Sequence, residues 1–179
     1  MRTFIYILCV LAAAPALGAI PKKALDKKVD AYVQDGVIIG GRAGQSYSLL
    51  NVRRDVSPKI GMERVILDIG DMDGKPLRGG VNYFQASVEK NPARIVLDLA
   101  QVNRSAVTEA KLKKTFLKSP YIKRVELMAD PEDRSATMVL YLKESMGVEV
   151  FEMPSNKRAS RIVIDLKKEG VKTVGARSK

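Results

Sequence analysis

The sequence predicts an all-β fold: a β-sandwich of two similar, roughly four-stranded sheets, related by internal duplication and joined by one connecting helix. Three observations carry that reading. From Tyr47 onward the chain offers eight short runs rich in Val, Ile, Leu and Tyr. Turn clusters such as DMDGKP, KNP, DPEDRS and PSNKR separate them, and short strands punctuated in this way mark sandwiches and barrels. Finally, a six-residue string of Arg, three aliphatics, Asp and an aliphatic starts at Arg64, Arg94 and Arg161, with a degenerate copy from Thr137 to Leu142. Self-similarity of this kind signals repetition of one structural unit.

Taken in order, residues 1–19 read MRTFIYILCVLAAAPALGA, with a cation at Arg2, an apolar run over 4–14 and small residues at Ala16, Gly18 and Ala19. This is the layout of a secretory signal peptide, and the run is short for a membrane span. Cleavage is expected after Gly18 or Ala19, the alternative being an uncleaved N-terminal anchor. Residues 20–46 are expected to form a basic N-terminal segment and linker. Leu25, Val29, Tyr32 and Val33 fall at helical spacing among Lys22, Lys23, Lys27 and Lys28, which permits a short basic amphipathic helix or, equally, a frayed tail. The stretch GGRAGQS over 40–46 lacks the Lys-Ser/Thr ending of a phosphate loop and reads as a hinge.

The expected strands cover 47–53, 63–69, 80–89, 93–99, 121–128, 136–143, 147–152 and 160–166. Between the fourth and fifth, SAVTEAKLKKTFLKS over 105–119 sets Val107, Leu112, Phe116 and Leu117 on one helical face, and Pro120 stops the helix. The β domain therefore spans 47–168, followed by a basic tail over 169–179. Its halves are 47–99 and 121–166. Copies of the strand motif lie 30 residues apart in the first half (Asp68 to Asp98) and 24 in the second (Tyr141 to Asp165), a difference assigned to the loop DMDGKPLRGG.

Composition narrows the function classes. The 179 residues hold 31 Lys+Arg against 20 Asp+Glu, a formal charge of +11, with no histidine and no tryptophan. Without histidine there is no Ser-His-Asp or Cys-His relay, no imidazole base and no His-bearing catalytic zinc site. The expectation is a non-enzyme with no cofactor and no metal. The single cysteine, Cys9, lies in the signal-like run, so the mature chain stands on its core without disulfides, which suits a bacterial periplasm. Nucleic acid, the usual partner of a basic chain, is not expected there. Two weak motifs are set aside. Ser87 and Lys90 match S-x-x-K at a strand end without its companion motifs, and Asp71-Met-Asp73-Gly74 reads as a turn rather than a calcium loop.

The paired strings RIVLDL and RIVIDL, the segment SPYIKRVELM leading into ATMVLYL, and the last strand after NKRAS resemble the AMIN (amidase N-terminal) domain family over roughly residues 47–168. The resemblance implies a β-sandwich of two similar sheets. It also implies a periplasmic role, since members accompany cell-wall amidases or the secretins of type IV pilus machines and localise them by binding peptidoglycan. Here only KKEGVKTVGARSK follows the matching region, so the expectation is a stand-alone binding module.

In a strand, Arg94, Val96 and Asp98 share one face and Ile95, Leu97 and Leu99 the other, and the same split holds for Arg64/Asp68 and Arg161/Asp165. The apolar face looks inward. The outer Arg and Asp then form cross-strand ion pairs: with the first two copies as neighbours centred on Ile66 and Val96, Arg64 faces Asp98 and Arg94 faces Asp68. Alternatively, their guanidinium forks bind carboxylates of the wall peptide. On that second reading the ligand set includes Arg64, Arg94, Asp98, Arg161 and Asp165, and the degenerate copy, with Thr137 and Tyr141, leaves Arg161 and Asp165 without strand partners. A second candidate is the strip Lys111, Lys113, Lys114, Lys118, Lys123 and Arg124, of which Lys113, Lys114 and Arg124 are the expected ligand contacts. It is either a solvated face or a surface for an acidic polymer or an anionic membrane. The expected function is non-catalytic peptidoglycan binding and localisation. The alternative is an assembly factor for a pilus or secretin complex, acting through a secretin or an amidase partner.

Overall fold

The computed structural model describes residues 32–44, 46–130 and 132–168. The signal-like residues 1–19, with Leu25 and Val29, and the tail over 169–179 lie outside the described residues. The strands are β1 (Gly36–Gly40), β2 (Tyr47–Ser57), β3 (Met62–Gly70), β4 (Phe84–Lys90), β5 (Ala93–Leu99), β6 (Val102–Ser105), β7 (Ile122–Asp130), β8 (Ser135–Leu142), β9 (Gly147–Met153) and β10 (Arg161–Lys167), with helix α1 at Glu109–Phe116. They form two five-stranded sheets, β1-β4-β5-β8-β7 and β6-β2-β3-β10-β9, packed against each other as an all-β sandwich.

Alternation builds the layers. On β5, Ile95, Leu97 and Leu99 are buried while Arg94, Val96 and Asp98 keep partial exposure on the outer face. Leu49, Leu67, Phe84, Met138, Ile162 and Ile164 fill the space between the sheets with essentially no exposure. Each such side chain contributes about 1.5–3 kcal/mol by leaving water.

The duplication is explicit in the pairing. The hairpins β2-β3 and β4-β5 make the first half, and β7-β8 and β9-β10 the second. Strand β3 pairs with β10 and β5 with β8, so the halves exchange partners across both sheets. The two junctions repeat one register: Ile66 lies opposite Val163, and Val96 opposite Val139. This corrects the expected neighbours. Strands β3 and β5 lie in different sheets because residues 71–83 carry the chain across the sandwich, so Arg64 faces Asp165 rather than Asp98, and Arg94 faces Tyr141 rather than Asp68.

Accessory elements close the two open sides. On one side α1 packs on β7 and β2, and Arg54 Nε donates to Thr115 O at 2.7 Å. There β6 adds in parallel to β2, and Val102 N donates to Arg134 O in the β7–β8 turn. On the other side Val33 bridges to Val148 on β9, and β1 then pairs with β4. Val33 thus sits in a β-bridge, not a helix, and residues 36–40 of the expected linker supply a fifth strand. In the same way β6 takes Ser105 from the expected helix.

Helix α1 is shorter than the periodicity suggests. Thr108 caps it, its Oγ1 accepting from Lys111 N at 3.3 Å, while buried Val107 before the cap and Leu112 beyond it have the positions of a hydrophobic staple. Leu112 and Phe116 face the core as expected, but Leu117, placed on the same face, is 80% exposed just past the last turn.

Candidate functional site

The arginine motif turns largely inward on itself. Arg64 Nε and Nη2 donate to the two oxygens of Asp165 at 2.6 and 2.7 Å, and Asp165 is only 1% exposed. Asp165 therefore has a partner, against the expectation drawn from the degenerate copy. Arg94 instead forks Glu89 on β4 at 2.8 and 3.1 Å, and Thr137 Oγ1 donates to Asp98 at 2.7 Å. Hydrogen bonds to Asp165 and Glu89 hold Arg64 and Arg94 above the ordinary guanidinium pKa. Arg161 lies opposite Asp68, but Arg53 on β2 holds that carboxylate at 3.0 and 3.2 Å, and the buried Nε of Arg161 has no hydrogen-bond partner among the described residues.

The basic strip has a different geometry. A groove of about 560 Å³ runs between α1 and β7, with Phe116, Leu117 and Val125 among its lining and Lys113, Lys123 and Arg124 bringing positive charge, alongside Glu109 and Glu126. The bulge in β7 between Ile122 and Arg124 lies at this groove. Arg124 is held from below: its guanidinium carbon lies 3.7 Å from the centre of the Tyr141 ring, and it donates to Glu126. Tyr141 Oη donates to the other oxygen of Glu126 at 3.1 Å. A cation stacked on an aromatic face keeps its orientation while leaving donors for a ligand. Tyr141 occupies the position of Asp in the degenerate motif, so the departure from the repeat creates the platform for Arg124.

Lys113 pairs with Glu109 at 2.8 Å one helical turn away, and that contact holds the Glu109 carboxyl below its usual range. Lys111, Lys114, Lys118 and Lys123 carry no ion pair among the described residues. Six cations thus stand near two carboxylates. Lys114 is exposed on α1 but does not line the groove.

Beneath the helix, fully buried Glu63 accepts from Arg54 Nη1 at 3.2 Å and from Ser119 Oγ at 2.7 Å. Ser119 Oγ in turn accepts from Ile122 N at 2.7 Å. This network ties the end of α1 to the start of β7, the two elements that flank the groove. Its sequence signal was a lone Glu at an inward-facing strand position. Elsewhere, Asp71 Oδ1 accepts from Asp73 N and Lys75 N at 3.0 and 2.8 Å, the geometry of a turn.

Among the described residues, no three His, Cys, Asp or Glu side chains gather as a metal site, and no helix is long and apolar enough to cross a membrane. No protein-family model matches the chain, and no curated protein matches it.

Proposed function

We propose that this chain is a non-catalytic AMIN-like module of the bacterial envelope that binds peptidoglycan through the groove between α1 and β7. The observation that carries the reading is the groove itself, where Lys113, paired with Glu109, a Lys123 unpaired among the described residues and a stacked Arg124 surround apolar Phe116, Leu117 and Val125. Stem peptides of the wall present carboxylates beside alanine methyl groups, and this mixture of charge and apolar surface complements them. The duplicated sandwich and the RIVLDL/RIVIDL strands support the family resemblance, and the signal-like N-terminus supports a periplasmic setting. Lys113, Lys123 and Arg124 are the proposed contacts, with Lys114 adding long-range attraction. Arg161 is a secondary contact, while Arg64 and Asp165 serve the fold.

Co-sedimentation of the protein with purified sacculi tests this. Binding is expected at low salt, weakened several-fold by Lys123→Glu with Lys114→Glu and little changed by Arg94→Ala. Absence of binding at low ionic strength overturns the proposal, and recovery of a secretin in its place moves the function to envelope assembly.

A further inference from the structure

We infer that β1 is a self-pairing edge, through which two copies of this chain join into one continuous ten-stranded sheet. One side of β1 is hydrogen-bonded to β4, and among the described residues it ends its sheet. Natural edge strands discourage foreign pairing with lysine, proline or bulges. The five residues GVIIG contain neither charge nor proline, and they pair with β4 without a break in register. Val37 and Ile39 stand 58% and 63% exposed on the outer face, while Ile38 packs against the core.

The order of the residues selects the occupant. GVIIG is nearly the same read in either direction, which makes antiparallel pairing with itself complementary. A two-fold axis through Ile38, perpendicular to the sheet, sets Val37 opposite Ile39 of the second copy and Gly36 opposite its Gly40. The axis preserves the faces, so each exposed aliphatic gains an aliphatic cross-strand neighbour. It also brings the Asp35 end of each strand toward the Arg42 end of the other. Both Asp35 and Arg42 are exposed, and neither has an ion pair among the described residues. The symmetry supplies that charge complementarity twice.

Pairing leaves the grooves open. Strand β7 is the opposite edge of the same sheet, so the dimer carries a basic groove at each end, roughly 40 Å apart at the usual strand spacing. Two sites on one rigid sheet raise avidity for a polymer without any new contact. An edge of five residues buries little area, so the dimer is weak and concentration-dependent.

Sedimentation velocity across a concentration series tests the inference on the full chain. A reversible monomer–dimer equilibrium is expected, shifted to monomer at least tenfold in Kd by Val37→Lys with Ile39→Lys. Both positions are exposed, and circular dichroism and Tm should match the parent. In a Cys9→Ser background, an equimolar mixture of Val37→Cys and Ile39→Cys should form disulfide dimers faster than either variant alone. A parent that stays monomeric at every concentration, a double lysine variant that dimerises equally well, or self-crosslinking as fast as the mixture overturns it. So does capture of another protein's extended segment by an otherwise monomeric chain.

Discussion

Arg64 on β3 forks both carboxylate oxygens of Asp165 on β10, at 2.6 and 2.7 Å, and so joins the two halves of the duplication across the centre of one sheet. The pair is unequal in its surroundings, because the arginine side chain is 31% exposed and the aspartate 1%. Removing the arginine strands a buried charge. Arg64→Ala should therefore destabilise the fold by about 3 kcal/mol, whereas Arg64→Met with Asp165→Leu should stay within about 1 kcal/mol of the parent. Urea denaturation of the three proteins decides it. A double variant as unstable as the single one shows that shape, not charge, matters at this junction.

Tyr47 makes the opposite case. Its ring fills the core at 1% exposure, but its hydroxyl is buried with no hydrogen-bond partner among the described residues. Deleting an unsatisfied polar atom recovers part of its desolvation cost, so Tyr47→Phe should stabilise the protein by about 1 kcal/mol. Burial also pushes the phenol above its ordinary pKa of 10.0. A group whose folded pKa is raised contributes stability below its unfolded pKa and loses it as pH rises. The parent should thus weaken above about pH 10, and Tyr47→Phe should weaken less, as read by Tm against pH.

Eight strands were legible because their apolar residues alternate and turns bound them, and the duplication was legible because the strand motif repeats. What the pattern lacks is any record of which copies pair. The crossing of residues 71–83 between sheets decides that through space, and it placed Arg64 beside Asp165. Strand β1 escaped because GVIIG has no polar alternation and follows hydrophobes at helical spacing. In β6, only Val102 of VNRS is buried, too little for a period. The basic strip was visible as charge. Its apolar lining was hidden, since Leu117 looked like a core residue until the helix ended one position earlier.

Ser119 holds the groove in shape from beneath. Its hydroxyl donates to buried Glu63 and accepts from Ile122 N, both at 2.7 Å. Ser119→Ala leaves a carboxylate oxygen short of a donor and a backbone N–H short of an acceptor, at a cost of about 2 kcal/mol. Hydrogen exchange should quicken first at the end of α1 and the start of β7. Exchange spread evenly over both sheets argues against a local anchor.

Glu109 and Lys113 give the groove a pH response. Lys113 donates to the Glu109 carboxylate at 2.8 Å and, with its charge, holds that group below the usual glutamate range. A depressed folded pKa means that the pair's favourable contribution is present above the unfolded value and is lost as pH falls through the folded one. Both side chains are well exposed, so the effect on stability is small and screened by salt. The local consequence is larger. Protonating Glu109 removes one of two carboxylates from a site lined by Lys113, Lys123 and Arg124, which leaves Lys113 free for an anionic ligand. An NMR titration should show Glu109 titrating below a free glutamate, and Lys113→Ala should return it to the ordinary range. If Lys113→Ala leaves the Glu109 titration unmoved, the pair does not form in solution and Lys113 is free for a ligand at every pH.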